Sequence, residues 1–258
     1  MLFGDRGKNS GFGLRGFDDN AFIKSFDGTV IDSVDKIEDN ILLDDLCVSG
    51  SALFLGEVDA DRIVISGHAE FREFATCDDL YISGSAVMKS EVVCESIIVS
   101  GEARMHDTVH ADLIISDGFV KTNRRIKTIN LNINGVLEGA SLIYADKIDV
   151  QGSLNSGGEM KCFELTVNSD KPSVVGRLQA DKLITVNRKP DDLDFVLNCD
   201  FADCGTVNIE YAKIDYLRCD RCRIGQGCVI GKLDCSEDAE ISPDAMVDEF
   251  VGKISEVL

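Results

Sequence analysis

The residues of this 258-residue chain best suited to chemistry are its ten cysteines and three histidines. The densest group is Cys219-Asp220-Arg221-Cys222, followed by Cys228 and Cys235. A C-x-x-C pair with two further thiols is the ligand pattern of a tetrahedral zinc site. Only the first pair has tight ligand spacing, and Cys235 falls, like Cys77 and Cys94, where a column of apolar residues calls for an inward side chain. Stacked free thiols are the stronger reading, so no metal is assigned. Cys199 and Cys204 are too loosely spaced to alter this. His68, His106 and His110 are no better placed, because no two of them lie near the 17-residue separation that would bring adjacent turns of the chain together. Asp61, Asp78, Glu95 and Asp112 do recur at 17. Four carboxylates about 4.8 Å apart repel one another, and a solvated ladder is expected ahead of a cation site or a contact with a basic partner.

What must position these residues is a repeat. Gly50, Gly67, Gly84, Gly101, Gly118, Gly135, Gly152 and Ser169 are each 17 positions apart, and strand-like runs precede them, as in Ile63-Val64-Ile65-Ser66 and Ile97-Ile98-Val99-Ser100. Aligned copies give apolar columns headed by Val58, Ala60, Ile63, Ile65 and Ala52; the Ala60 column (Cys77, Cys94, Ala111, Thr128, Ala145, Cys162) is all small. Ile63 with Ile65, and Ala69 with Phe71, are spaced by two, which is strand periodicity. Three such faces separated by Gly, Ser or Asp in 17 residues describe one coil of a triangular parallel β-helix, an all-β solenoid whose backbones stack about 4.8 Å apart. Glycine marks a corner, where positive φ or tight packing favours a missing side chain. The Ala60 column fills a narrow inner corner. About eleven to twelve coils are expected, a rod of about 55–60 Å.

Composition narrows the function. A net charge of −20 argues against nucleic acid. No apolar run is long enough for a membrane span, and the start shows no signal peptide. Ten cysteines without an export signal fit free thiols in a reducing, cytoplasmic setting. A polysaccharide-cleaving β-helix needs aromatic platforms, and the chain has no Trp and four Tyr. The run Ile-Gly-Gln-Gly-Cys-Val-Ile-Gly at 224–231 is similar to hexapeptide-repeat acyltransferases, whose six-residue period 17 does not satisfy. A non-enzymatic protein with no catalytic residue and no cofactor is expected.

In chain order, residues 1–16 form a tail with five glycines, Arg6, Lys8 and Arg15 against Asp5. Met1, Leu2, Phe3, Phe12 and Leu14 are its candidate contacts with an anionic membrane surface, placing the chain at the inner face of the cytoplasmic membrane. The β-helix is expected over 17–241, regular over 47–169 and looped or irregular over 170–241. Val186 lies 19 after Val167, so two extra residues fall near 169–173, and 187–194 is a longer excursion; loops 169–194 are the candidate seat for a partner protein. Further on, Val229, Leu233, Cys235, Ala239 and Ile241 reproduce the spacing of Val58, Ile63, Ile65, Ala69 and Phe71. Ser242-Pro243-Asp244 then reads as a helix start. Val247, Phe250, Val251, Ile254 and Leu258 follow at helical spacing, so 242–258 is expected to be a short amphipathic helix that caps the last coil or meets a partner.

The 17-residue coils with Ile-Val-Ile-Ser-Gly at 63–67, Ile-Ile-Val-Ser-Gly at 97–101 and Ile-Asp-Val-Gln-Gly at 148–152, together with the start Met1-Leu2-Phe3-Gly4 with Arg6 and Lys8, resemble the bactofilins, polymer-forming bacterial cytoskeletal proteins. The resemblance implies a right-handed β-helix, nucleotide-free end-to-end assembly into a filament, and a scaffolding role. It departs from the family in its greater number of coils and in its C-terminus, which would cap the helix and favour a non-polymerising adaptor. For assembly, the candidate contacts are Val30, Ile31, Ile37 and Ile41 in the first coil and Val229, Leu233 and Ile241 in the last.

Overall fold

A computed structural model of the chain describes residues 28–187 and 194–257, of which 253–257 are described by backbone only. These residues form one 21-stranded sheet of parallel pairs, wound as a right-handed β-solenoid of roughly a dozen turns with a period near 17. Ile63, Leu80 and Ile97 are register neighbours and fully buried. The expectations for Met1, Leu2, Phe3, Phe12, Leu14 and Leu258 lie outside the described residues.

Each regular turn has three faces, seen at Val58–Ile65, which bends at its middle, and His68–Phe71. Val58 and Ala60, Ile63 and Ile65, and Ala69 and Phe71 point inward and are buried. The third face shows how the interior stays filled along the axis. Ala52, Ala69, Ala86 and Ala103 accompany the large Phe54, Phe71, Met88 and Met105, with the two Phe rings stacked at 4.6 Å. From Val120 onward the small column enlarges to Leu137 and Leu154 while the large one shrinks to Thr122. Exchanging size between neighbouring columns keeps the packing dense. Outward positions are not all polar: Cys47, Val64, Tyr81, Ile98 and Ile115 form an apolar outward column on the second face.

Close approach, not positive φ, explains the corner glycines. The N–H of Gly67 donates to the Val48 carbonyl at 2.9 Å, and that of the next residue, His68, to the Gly50 carbonyl at 2.9 Å. The pattern recurs on each layer and brings corner backbones so near that a Cβ on Gly84, Gly101 or Gly118 would lie 2.1 Å from the glycine oxygen below. Ser169 is the first residue of the column to carry a Cβ after this run, and the winding departs there. Its Oγ donates to the Gly152 carbonyl at 2.5 Å, and beyond it Val167 pairs with Val186, 19 residues on.

Two expectations need correction. Met246–Val257 is a strand, paired with Val229–Ile241, and not a capping helix, so the solenoid runs past 241. The helical spacing came from the corners. In this half of the chain inward residues fall at Ile214, Leu217, Cys219, Cys222 and Ile224, a step of three at each bend, and Val247, Phe250 and Ile254 take the matching register positions. The Ser-Pro-Asp signal belongs to a β-turn, in which the Ala245 N–H donates to the Ser242 carbonyl at 3.0 Å and the Asp244 N–H to the Ser242 Oγ at 3.2 Å. A serine oxygen before proline suits a turn as well as a helix start. Secondly, Leu233 stacks in the Val58 column and Ala239 in the Ile63 column, one face away from the expected alignment. All three faces share two-residue spacing, so spacing alone does not identify a face.

Candidate functional site: the solenoid ends and a buried thiol cluster

A β-solenoid has two ends, each a layer with hydrogen-bonding groups on its outer edge. Here Thr29–Ile31 and Val34–Ile37 pair on one side only, with Leu46 to Val48 and Ser51–Phe54. At the other end Met246–Val257 pairs only with Val229–Ile241. Among the described residues these outer edges have no strand partner.

The expected contact residues distribute unevenly. Val30 is exposed in the first layer, Ile31 is buried, and Ile37 and Ile41 are half-buried against the core. Val229, Leu233 and Ile241 are not terminal: the final strand covers them and Leu233 is fully buried beneath Phe250. Val247 and Phe250 are half-buried on the core, Val251 is exposed, and Ile254 is placed by its backbone pairing with Ala239. Sequence reasoning missed Val34 and Leu42, 86% and 79% exposed, the most exposed large apolar residues described. Their signal was available: Val34 heads a column continued by Ser51, His68 and Ser85, and Leu42 one continued by Asp59 and Thr76. Val251 likewise ends a column of Asp203, Arg218 and Asp234. In these three columns the end layer carries an apolar residue where the layer next to it carries a polar one.

The thiols occupy a different environment. The Ala60 column runs through Cys77, Cys94, Cys162, Cys204, Cys219 and Cys235 along the inner corner between the first and second faces. The chain bends there and turns a carbonyl inward, which a small donor satisfies: Thr128 Oγ1 donates to the Asn130 carbonyl at 3.0 Å and Cys204 Sγ to the Thr206 carbonyl at 3.0 Å. Cys77 and Cys94 face one another, Sγ to Sγ at 3.1 Å. Burial pushes the Cys162 and Cys199 thiols up to about 12, and Cys204 and Cys228 to about 11.

At one point the column thiols meet a third. The Sγ atoms of Cys219, Cys222 and Cys235 all lie within 4.8 Å of one another, the one such group of three or more metal-capable side chains among the described residues. Cys219 and Cys235 stack on adjacent layers, and Cys222 comes round the corner from Cys219. A hydrogen bond from Cys219 lowers the Cys222 thiol, whereas the Cys219 thiol is raised by the same contact and that of Cys235 by burial. Cys228 is not a member, its Sγ donating instead to the Ile209 carbonyl at 3.4 Å.

The remaining candidates do not converge. His106 faces Lys89 at 3.3 Å, His110 faces Glu91 at 3.2 Å, and His68 is exposed in another column. Asp61, Asp78, Glu95 and Asp112 are exposed, as a solvated ladder requires. Cross-layer contacts between side chains brace the outside, among them Arg62 with Asp45 and the Arg177 guanidinium 4.4 Å from the Phe201 ring. Among the described residues no helix is long and apolar enough to cross a membrane. Comparison of the chain with family models, with curated proteins and with solved structures gave no match.

Proposed function

We propose that the chain is a non-enzymatic structural scaffold of bactofilin type, which joins end to end through its terminal layers into a cytoplasmic polymer. The observation that carries this reading is the character of the two ends. Among the described residues each presents a strand edge without a partner and outward apolar side chains, Val30, Val34 and Leu42 at one end and Met246 and Val251 at the other. A capping helix would argue against polymerisation, and the segment expected to form it is itself the outermost strand. Joining ends extends the backbone ladder and removes apolar surface from water, at about 25 cal/mol per Å². The charge of −20 opposes contact, so assembly is expected to strengthen as salt rises from about 10 to 150 mM and the screening length falls from about 30 to 8 Å. Electron microscopy of purified full-length protein in physiological salt tests this. Filaments are expected, and they should shorten or vanish in Val34→Lys/Leu42→Lys. Uniform small particles at high concentration refute the reading.

A second reading, a non-polymerising adaptor, is favoured by the two insertions. They leave from the same corner on consecutive layers, after Val167 and after Val186, which are register partners. Most of the second insertion, 188–193, lies outside the described residues, and the corner that the two share is the proposed seat for a partner protein or polymer. Deleting 187–194 should abolish capture of such a partner, and capture unchanged by the deletion would count against this reading.

A further inference from the structure

We infer that Cys219, Cys222 and Cys235 form a three-sulfur site for a soft monovalent d10 cation, Cu(I). Column packing accounts for Cys219 and Cys235, which stand where Cys77, Cys94 and Cys204 stand elsewhere. It does not account for Cys222. That residue belongs to the Ile63 column, which holds only aliphatic side chains from Leu46 to Val207 and returns to Ala239 on the next layer. A thiol here is not needed to fill space, and it is the thiol that completes the triangle.

The donor set selects the ion. Three sulfurs with no His, Asp or Glu donor in the group suit a soft cation. Zinc in a closed site takes four ligands. The three residues are 3, 5 and 1% exposed, and among the described residues no fourth His, Cys, Asp or Glu joins them. Each ligating thiol gives up its proton to solvent as its bond to copper forms, and no oxidation change is involved. A route from outside is short. Only one layer follows Cys235, and its register partner there is Gly252, which contributes no side chain to the column.

The test uses full-length protein, reduced and handled without oxygen, titrated with Cu(I) against a chromophoric Cu(I) chelator. One equivalent should be held, with X-ray absorption showing a shell of three sulfurs. Cys222→Ser should weaken retention at least about 100-fold, while Cys77→Ser/Cys94→Ser keeps it. Cys222→Val separates binding from folding: it restores the aliphatic type of Val207 below, so the metal-free variant should melt at or above the temperature of the parent yet fail to hold the ion. Retention unchanged in Cys222→Val overturns the assignment. So does a tetrahedral Co(II) spectrum in protein that prefers Zn(II), or the absence of stoichiometric Cu(I) binding.

Discussion

Replacing Gly101 by alanine tests the corner directly. The new Cβ would lie 2.1 Å from the Gly84 oxygen and 2.3 Å from the Ser83 oxygen. Carbon–oxygen contacts settle at about 3.3 Å or more, so the layers must part locally by about 1 Å. Two backbone hydrogen bonds span that gap, from the Gly101 N–H to the Ile82 carbonyl at 3.0 Å and from the Glu102 N–H to the Gly84 carbonyl at 2.9 Å. Losing them, with partial desolvation of their groups, costs about 3–5 kcal/mol. The stiffer unfolded chain returns about 0.4–1 kcal/mol, leaving a net loss of about 2–4 kcal/mol. Gly157→Ala is the matched control, since no atom lies within 4 Å of its Cβ position and its φ is not positive. It should be neutral or stabilise by up to about 1 kcal/mol. Urea denaturation gives the overall difference. Hydrogen exchange locates it, because a solenoid opens layer by layer, and faster exchange should centre on the amides of Gly101 and Glu102. If Gly101→Ala and Gly157→Ala behave alike, close corner stacking is not what the glycines are for.

Two further predictions concern the thiols and the tail. Cys162, Cys199, Cys204 and Cys228 stay protonated in the folded chain up to about 11–12, whereas an unfolded thiol ionises near about 8.5. Their contribution to stability is therefore fully present below about pH 8.5 and is lost as pH rises through the folded values. The urea midpoint should fall between about pH 9 and 11, and fall less steeply in Cys162→Ala/Cys199→Ala; equal slopes would contradict this. For the tail, full-length protein should sediment with anionic vesicles and a form lacking 1–16 should not, and equal sedimentation removes the membrane proposal.

Most of the fold is legible because stacking imposes the same demand on every layer. One close contact repeated at Gly67, Gly84 and Gly101 writes the period into the sequence, and inward pairs such as Ile63 and Ile65 write the faces. Legibility fails where the count slips. After Ser169 the corners lengthen and shorten, with Cys219 pairing Cys235 and Arg221 pairing Asp238, separations of 16 and 17. Inward residues then step by three across bends, and Val247 and Phe250 imitate a helical stripe. The thiols at 219–235 were visible in the sequence, but which three of them converge was hidden for the same reason. A search for ligands at a strict 17 passes over Cys219 and Cys235, and Cys222 joins them only once the corner is known to bend between it and Cys219. The end surfaces were missed by looking inward: Val34 and Leu42 stand out only against the polar residues that succeed them in their own columns.

The measurement closest to the central claim is a ladder of spin-label distances along one column. Ser51, His68, Ser85, Glu102, Phe119, Val136 and Ser153 are successive register partners. Labels at Ser51 and Glu102 should sit about 14 Å apart along the axis, and labels at Ser51 and Ser153 about 29 Å apart, growing by about 4.8 Å for each layer. Distances that level off or scatter as the separation grows from 51 to 102 residues would show that the chain does not stack, and end-to-end assembly would lose its basis.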